Sequence, residues 1–416
     1  MPPTVRVLTI GHSYVVALNR RIAHEIVRES GQRWEVTVVA PHEMRGDLRP
    51  TAFEGMSQEP CRVEVVRVRW PERIHCMTYG AGMGALLRER WDMIHCWEEP
   101  YTAAGAQVAF LAGGNVPLVF YTFQNLTKRY PPPFAQMEKY AIGKSAGWIA
   151  AGKEVEKTLL QSRAGYRARP HRVLSLGVDM NAFRKDPAAR ARVRQKLGWG
   201  QAGPPVAGFL GRLVPEKGLR LLTRALDAVE TPWRALFIGS GPEESFLKQW
   251  AGGRGDQVRI VTDVRHGEVP AYLNAFDILC APSQTTRHWR EQFGRMLIEA
   301  FASGVAVIGS DSGEIPHVIG DAGVVVGEQD EGGWTRAMAS LLESPMRRDQ
   351  LAAKGMERAR EQFAWPVIAR KHMEFFAELM GGAGLSRAAA AAPVAWSQIS
   401  EQAIDAPHSG QARSAV

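Results

Sequence analysis

Short apolar runs and amphipathic stretches alternate along most of the chain. Val5-Arg-Val-Leu-Thr-Ile10, Trp34-Glu-Val-Thr-Val-Val-Ala40, Val116-Pro-Leu-Val-Phe-Tyr-Thr-Phe123 and Gly147-Trp-Ile-Ala-Ala151 are nearly continuous apolar runs of strand length. Such runs predict strands buried on both faces, as in parallel sheets. Between the first two, Val16, Ile22, Ala23, Ile26 and Val27 fall at helical spacing. Arg62-Val-Glu-Val-Val-Arg-Val-Arg69 alternates apolar and charged residues, which predicts one strand with a wet face. Asp92-Met-Ile-His-Cys96 is a strand running into the acidic loop Glu98-Glu99-Pro100. The alternation restarts at Val206, with strands expected at 206–210, 234–238, 258–261, 278–280, 305–308 and 323–326.

Strands alternating with helices predict an α/β fold, and two such series predict two Rossmann-like doubly wound domains facing a cleft. Residues 1–190 form the expected first domain and 191–205 a turn-rich linker. Residues 206–365 form the second domain, 366–380 a helix returning to the first, and 381–416 an Ala-, Ser- and Gly-rich disordered tail. Residues 42–60 are polar and turn-rich and are expected to be a surface loop.

Composition narrows the partners. The 416 residues carry a net charge of +8 and a pI near 9.4, which calls for an anionic partner: nucleic acid, lipid headgroups or a nucleotide diphosphate. No module for nucleic acid is recognisable. No apolar run reaches the roughly 18 residues of a membrane span, and Met1-Pro-Pro-Thr-Val-Arg-Val leads straight into a strand. A cytoplasmic protein is expected, with transient contact at the inner face of an anionic membrane allowed by the charge. The four cysteines form no C-x-x-C pair and suit reduced thiols. His75-Cys76 and His95-Cys96 sit among apolar residues, which favours packing over metal ligation.

The chemistry concentrates in the second series. Gly294 punctuates Glu291-Gln-Phe-Gly-Arg-Met-Leu-Ile-Glu299, and a helix is expected from Arg295. Glu299 lies on its second turn and Glu291 in the loop before it. Two carboxylates therefore flank a helix N-terminus whose free N–H groups suit a polyhydroxylated or anionic ligand. Gly211-Arg-Leu-Val-Pro-Glu-Lys-Gly218 and Gly239-Ser-Gly241-Pro follow two of the strands. In parallel sheets such loops line the ligand cleft. His12, Glu98, Glu99, Asn125, Lys128 and Arg129 occupy the matching loops of the first series.

In that order, Gly211–Gly218, Gly239–Pro242, Glu291-x7-Glu299 and Ser310-Asp-Ser-Gly-Glu-Ile-Pro316 resemble the signature of retaining GT-B glycosyltransferases of family 4, the group 1 glycosyl transferases. The resemblance spans residues 5–380 and includes the Glu99-Pro100 and Asn125 loops. It implies a nucleotide-diphosphate sugar as donor and a glycan, glycolipid or small molecule as acceptor, with no cofactor and no metal. It implies that Arg212 and Lys217 meet the diphosphate and that Glu291 contacts the donor sugar. Glu299 would accept from the ribose hydroxyls. Gly211, Gly239, Gly241 and the Phe293, Gly294, Arg295 and Met296 backbone would line the nucleotide. His12, Glu99, Asn125 and Lys128 are expected on the acceptor side. Trp97 stands where many relatives carry a second histidine, so Glu99 is expected to take that position. A nucleotide-sugar hydrolase or epimerase of the same fold is the nearest alternative. A Rossmann NAD-dependent oxidoreductase is more distant, because the G-x-G-x-x-G fingerprint is missing.

Overall fold

The computed structural model describes residues 4–45, 50–200 and 202–381; the expected tail lies outside them, apart from Gly381. The first half builds a seven-stranded parallel sheet. Its order is His171–Val173, Gly147–Ala150, Leu118–Thr122, Met93–Cys96, Val5–Ile10, Trp34–Pro41 and Arg62–Val66. The second half builds a six-stranded parallel sheet: Val258–Val261, Arg234–Ile238, Val206–Leu210, Ile278–Ala281, Ala306–Ser310 and Val324–Val326. In both, the order reverses beside the first strand, so a crevice opens at the carboxyl ends. The central strands are buried throughout, which is why they read as continuous apolar runs.

Several local expectations needed revision. After Gly11 the chain makes two 3-10 turns, His12–Val15 and Ala17–Arg20, before the helix Arg21–Glu29. The alternating stretch 62–69 is two strands. Arg62–Val66 joins the sheet edge, and Val68–Arg69 leaves it to pair antiparallel with Thr78–Tyr79. The polar loop at 42–60 contains a small antiparallel ribbon, Glu43–Arg45 with Pro50–Ala52.

The segment expected as a linker is tied to the second lobe. Helix Pro187–Lys196 sends Arg190 and Arg194 to the two oxygens of Asp277, each at 2.6 Å. The Trp199 indole N–H donates to the Asp256 carbonyl at 2.6 Å. At the other end, helix Trp365–Leu379 returns to the first lobe. Phe376 stacks on Trp34 at 6.4 Å, Arg370 pairs with Glu29, and Arg172 binds Glu378 at 2.6 Å. Burying Phe375 and Phe376 stabilises this docking by about 2–3 kcal/mol each.

Candidate functional site

Strand Val206–Leu210 ends at Gly211, and a 3-10 turn, Pro215–Lys217, leads to helix Leu219–Asp227. The Gly211 turn lies directly on the Gly239 turn: a Cβ on Gly239 would sit 1.8 Å from the Gly211 carbonyl oxygen. A Cβ on Gly241 would likewise lie 2.4 Å from the Leu213 oxygen. These glycines were expected to admit a nucleotide. Their first requirement is the approach of one loop to the other.

Lys217 points from this turn onto the Glu291 loop. Its Nζ lies 2.5 Å from Glu291 Oε2, and the Ser283 hydroxyl donates to the same oxygen at 2.8 Å. The ammonium also sits 5.0 Å from the centre of the Trp289 ring. Glu291 is buried, and these two partners offset the cost of taking its carboxylate out of water. Arg212 is more open, with 43% of its side chain exposed and only a 3.7 Å approach to Glu216. The structure therefore joins Lys217 to Glu291 and leaves Arg212 free to turn toward a ligand.

Gly294, at φ 79°, starts helix Arg295–Ala302, and no side chain caps that end. The first-turn N–H groups of Arg295 and Met296 are thus the orphan donors of a helix terminus. Phe293 is buried and packs edge-on against Phe363, 6.0 Å away, which fixes the loop entering the helix. One turn on, Glu299 is 6% exposed, and no side chain or N–H among the described residues donates to its carboxylate. Burial pushes its pKa up to about 7, against the pull of nearby Arg295. Arg295 reaches the other lobe, donating to Asn19 at 3.2 Å.

Other links hold the lobes face to face. The Asn125 amide donates to the carbonyls of Glu291 and Arg290 at 3.0 and 3.2 Å. Asn125, on the first lobe, thus clasps the backbone of the Glu291 loop on the second. Glu314, from the second lobe, accepts from the N–H groups of Lys153 and Glu154 at 2.8 and 2.9 Å, at the start of helix Lys153–Ser162. Arg290 donates to Glu154 at 3.1 Å.

On the first lobe, Glu98 is the residue that sequence reasoning passed over for its neighbour. It accepts from the His12 backbone N–H at 2.6 Å and from Tyr79 OH at 2.6 Å, and meets His12 Nδ1 at 2.7 Å. Glu98 raises the pKa of His12 against the opposing effect of burial, which is the largest single influence. Glu99 turns the other way. It accepts from Thr122 Oγ1 at 2.6 Å and the Phe123 N–H at 2.7 Å, and burial lifts its pKa to about 6. Consecutive residues leaving a strand point to opposite sides, so only the backbone path could choose between the two acids. His95 is buried within its strand, 2.9 Å from Thr9. Lys128 is exposed on the loop rim and makes no ion pair among the described residues. Away from the cleft, His24, Glu59 and Cys61 bring ligand atoms within 4.8 Å of one another. Arg20 and His24 already hold both Glu59 oxygens there.

Residues 190–358, which carry Arg212, Lys217, Glu291 and Glu299, match the family described as glycosyl transferases group 1. The chain contains a group 1 glycosyl transferase domain. It is 31% identical over 259 residues to a GDP-mannose-dependent alpha-(1-6)-phosphatidylinositol monomannoside mannosyltransferase of Mycolicibacterium smegmatis, covering 60% of this chain and 66% of the relative. It is 28% identical over 320 residues to a D-inositol 3-phosphate glycosyltransferase of a Nocardioides species, covering 71% of this chain and 64% of the relative. Both matches thus span just under two thirds of the relative. Among solved structures, Anabaena Alr3699/HepE in complex with UDP superposes with a TM-score of 0.70 at 20% identity, over 90% of this chain and all of that one. Sucrose-phosphate synthase from Thermosynechococcus elongatus gives 0.69 at 18% identity, over 91% and 100%. The two lobes, the second of which holds the group 1 domain, have the GT-B architecture.

Proposed function

We propose that this protein transfers a sugar from a nucleotide-diphosphate sugar to a glycan, lipid-linked or small-molecule acceptor, with retention of configuration and without a metal. The observation that carries the proposal is the pairing of Lys217 with the buried Glu291 at a strand-end edge, with the Glu299 carboxylate on the adjoining helix left without a donor among the described residues. A buried acid lacking protein donors suits a ligand that brings hydroxyl groups of its own.

In this scheme the ribose hydroxyls donate to Glu299, and the donor sugar's hydroxyls donate to Glu291. The diphosphate lies against Lys217, Arg212 and the Arg295 and Met296 N–H groups. As the bond from the anomeric carbon to phosphate oxygen breaks, charge builds on that oxygen. Cations fixed beside it stabilise the transition state more than the ground state. The acceptor oxygen bonds the anomeric carbon on the face the phosphate leaves, and its proton passes to the departing phosphate oxygen. His12, paired with Glu98 in the loop after the first strand, would meet the acceptor from the other lobe. The names of the two relatives point to inositol-bearing acceptors as the first class to try.

The test is product formation with UDP- and GDP-sugars, with inositol phosphates or phosphatidylinositol as acceptor, followed by the anomeric proton coupling. Nucleotide release that depends on acceptor, with the donor's configuration kept, is expected. Release at the same rate without acceptor points instead to a hydrolase. EDTA is expected to leave the rate unchanged, and a rate lost to EDTA and restored by a divalent cation contradicts the metal-free scheme.

Glu299 also sets a pH dependence. Its carboxylate form accepts from the ribose, so binding favours proton release. Affinity for the nucleotide should rise with pH up to about 7, where Glu299 ionises, and level off above. The same linkage works against stability. A raised carboxyl pKa means that the folded state holds the extra proton between about 4.5 and 7, so the unliganded protein loses stability as pH rises through that window. Calorimetric titration of nucleoside diphosphate against pH checks this. In Glu299→Gln only the ligand's own phosphate titration should remain, and an unchanged profile would remove Glu299 from the ribose.

A further inference from the structure

We propose that the hairpin Val68–Tyr79 and its flank form a docking surface for an anionic lipid bilayer. Val65, Arg67 and Arg69 occupy alternate exposed positions across the break between the two strands, with no acid among them. At the tip, Trp70 is 54% exposed at a φ of 54° and Ile74 is 42% exposed. A bulky residue rarely adopts that left-handed backbone, and here it holds an indole out in solvent. Arg67, Arg69 and Arg73 are all exposed, and none has a carboxylate partner among the described residues. The one acid in the turn is the exposed Glu72.

The hairpin rests on helix Ala103–Leu111 through two contacts. The Ala103 N–H donates to the His75 carbonyl at 3.0 Å, and Gln107 bonds both the N–H and the C=O of Tyr79. Residues 103, 107 and 110 share one helical stripe. The next residue on that stripe is Phe110, 73% exposed and the most open of the large apolar side chains described. Aromatic and aliphatic tips set among unpaired arginines suit the interfacial zone of a membrane, where rings settle at headgroup level and cations meet anionic lipid. A folded protein partner would bring carboxylates to these arginines, but a sheet of negative headgroups needs no matching shape.

The surface is joined to the cleft. His75 packs on Tyr101 at 5.5 Å, and Tyr101 stacks on Tyr130 at 4.2 Å, in the loop that begins with Asn125. If the sugar-transfer proposal holds, on which this last step rests, a lipid-linked acceptor would present its headgroup beside that loop while its chains stay in the bilayer.

The test is flotation of the full chain with vesicles of phosphatidylcholine alone or with one third phosphatidylglycerol. Binding is expected only to the anionic vesicles and should weaken with salt. Combined Arg67→Gln, Arg69→Gln and Arg73→Gln should lower that binding on the order of 10²-fold, at several-fold per cation. Trp70→Ser with Ile74→Ser should lower it at unchanged charge. Nucleoside diphosphate thermal shifts should be unaltered in both variants, which also shows that they fold. Equal binding to neutral vesicles, no binding at all, or variants that bind like the parent would overturn the proposal. So would a vesicle-free dimer abolished by Trp70→Ser, which would assign the patch to a second copy of the chain. Failure here with nucleotide shifts intact leaves the sugar-transfer proposal standing.

Discussion

Replacing Lys217 with Ala is expected to lower kcat on the order of 10²- to 10³-fold, the scale for losing one fixed donor to developing charge. The side chain is held ready: 13% exposed, 2.5 Å from Glu291 and lying over Trp289. In the proposed transfer little reorganisation would be needed when the phosphate arrives, and preorganisation of this kind makes such donors effective. Arg212→Ala should act in the same direction. The two differ in how they begin. Lys217 must share its charge with Glu291, whereas Arg212 starts largely solvated, with 43% of its side chain exposed. Steady-state kinetics on saturating donor distinguish the roles. A change in KM with kcat intact would mean that these cations bind substrate and transition state equally well.

Gly313→Ala is expected to cost about 3 kcal/mol and to take activity with it, through two additive causes. At φ 58° an alanine is strained by more than the usual gain of about 1 kcal/mol from a stiffer chain. Its Cβ would also lie 2.0 Å from the Glu291 carbonyl oxygen, and forced repacking adds about 1–3 kcal/mol. That carbonyl accepts from both the Glu314 N–H and the Asn125 amide. Pushing it aside loosens the lobe contact and moves Glu291 with it. A melting temperature lower by roughly 6–12 °C is the expected size for a domain of this length. A variant that melts with the parent and keeps its activity would show that the loop yields freely and that Glu291 is not held by this contact.

How far the sequence could be read depended on the range of each interaction. The central strands were legible because sheets covered on both faces demand continuous apolar runs. The break at Arg67 was not, because an alternating strand keeps its pattern whichever partner each half pairs with. Lys217 and Glu291 lie 74 positions apart, and only the ordered motifs placed them in one site. Asn125 and Glu291, 166 positions apart, meet because two lobes dock, and no local pattern encodes that. Glu98 and Glu99 are adjacent and chemically alike. Their roles separate only through the turn that sends one to His12 and the other to Thr122. The helix at 187–196 looked like a charged linker because its arginines find their acid, Asp277, more than 80 residues later.

The central claim is that a nucleoside diphosphate binds between Lys217 and Glu299 at the edge of the second sheet. Calorimetric titration of UDP, GDP and ADP into the full chain tests it most directly, repeated with Lys217→Ala combined with Glu299→Gln. One nucleotide should bind the parent, and at a hundredfold excess over its Kd should stabilise the fold by about 2.7 kcal/mol. The double variant should fold and bind it at least tenfold more weakly. No binding of any diphosphate to the parent, or equal binding to the variant, would contradict the claim.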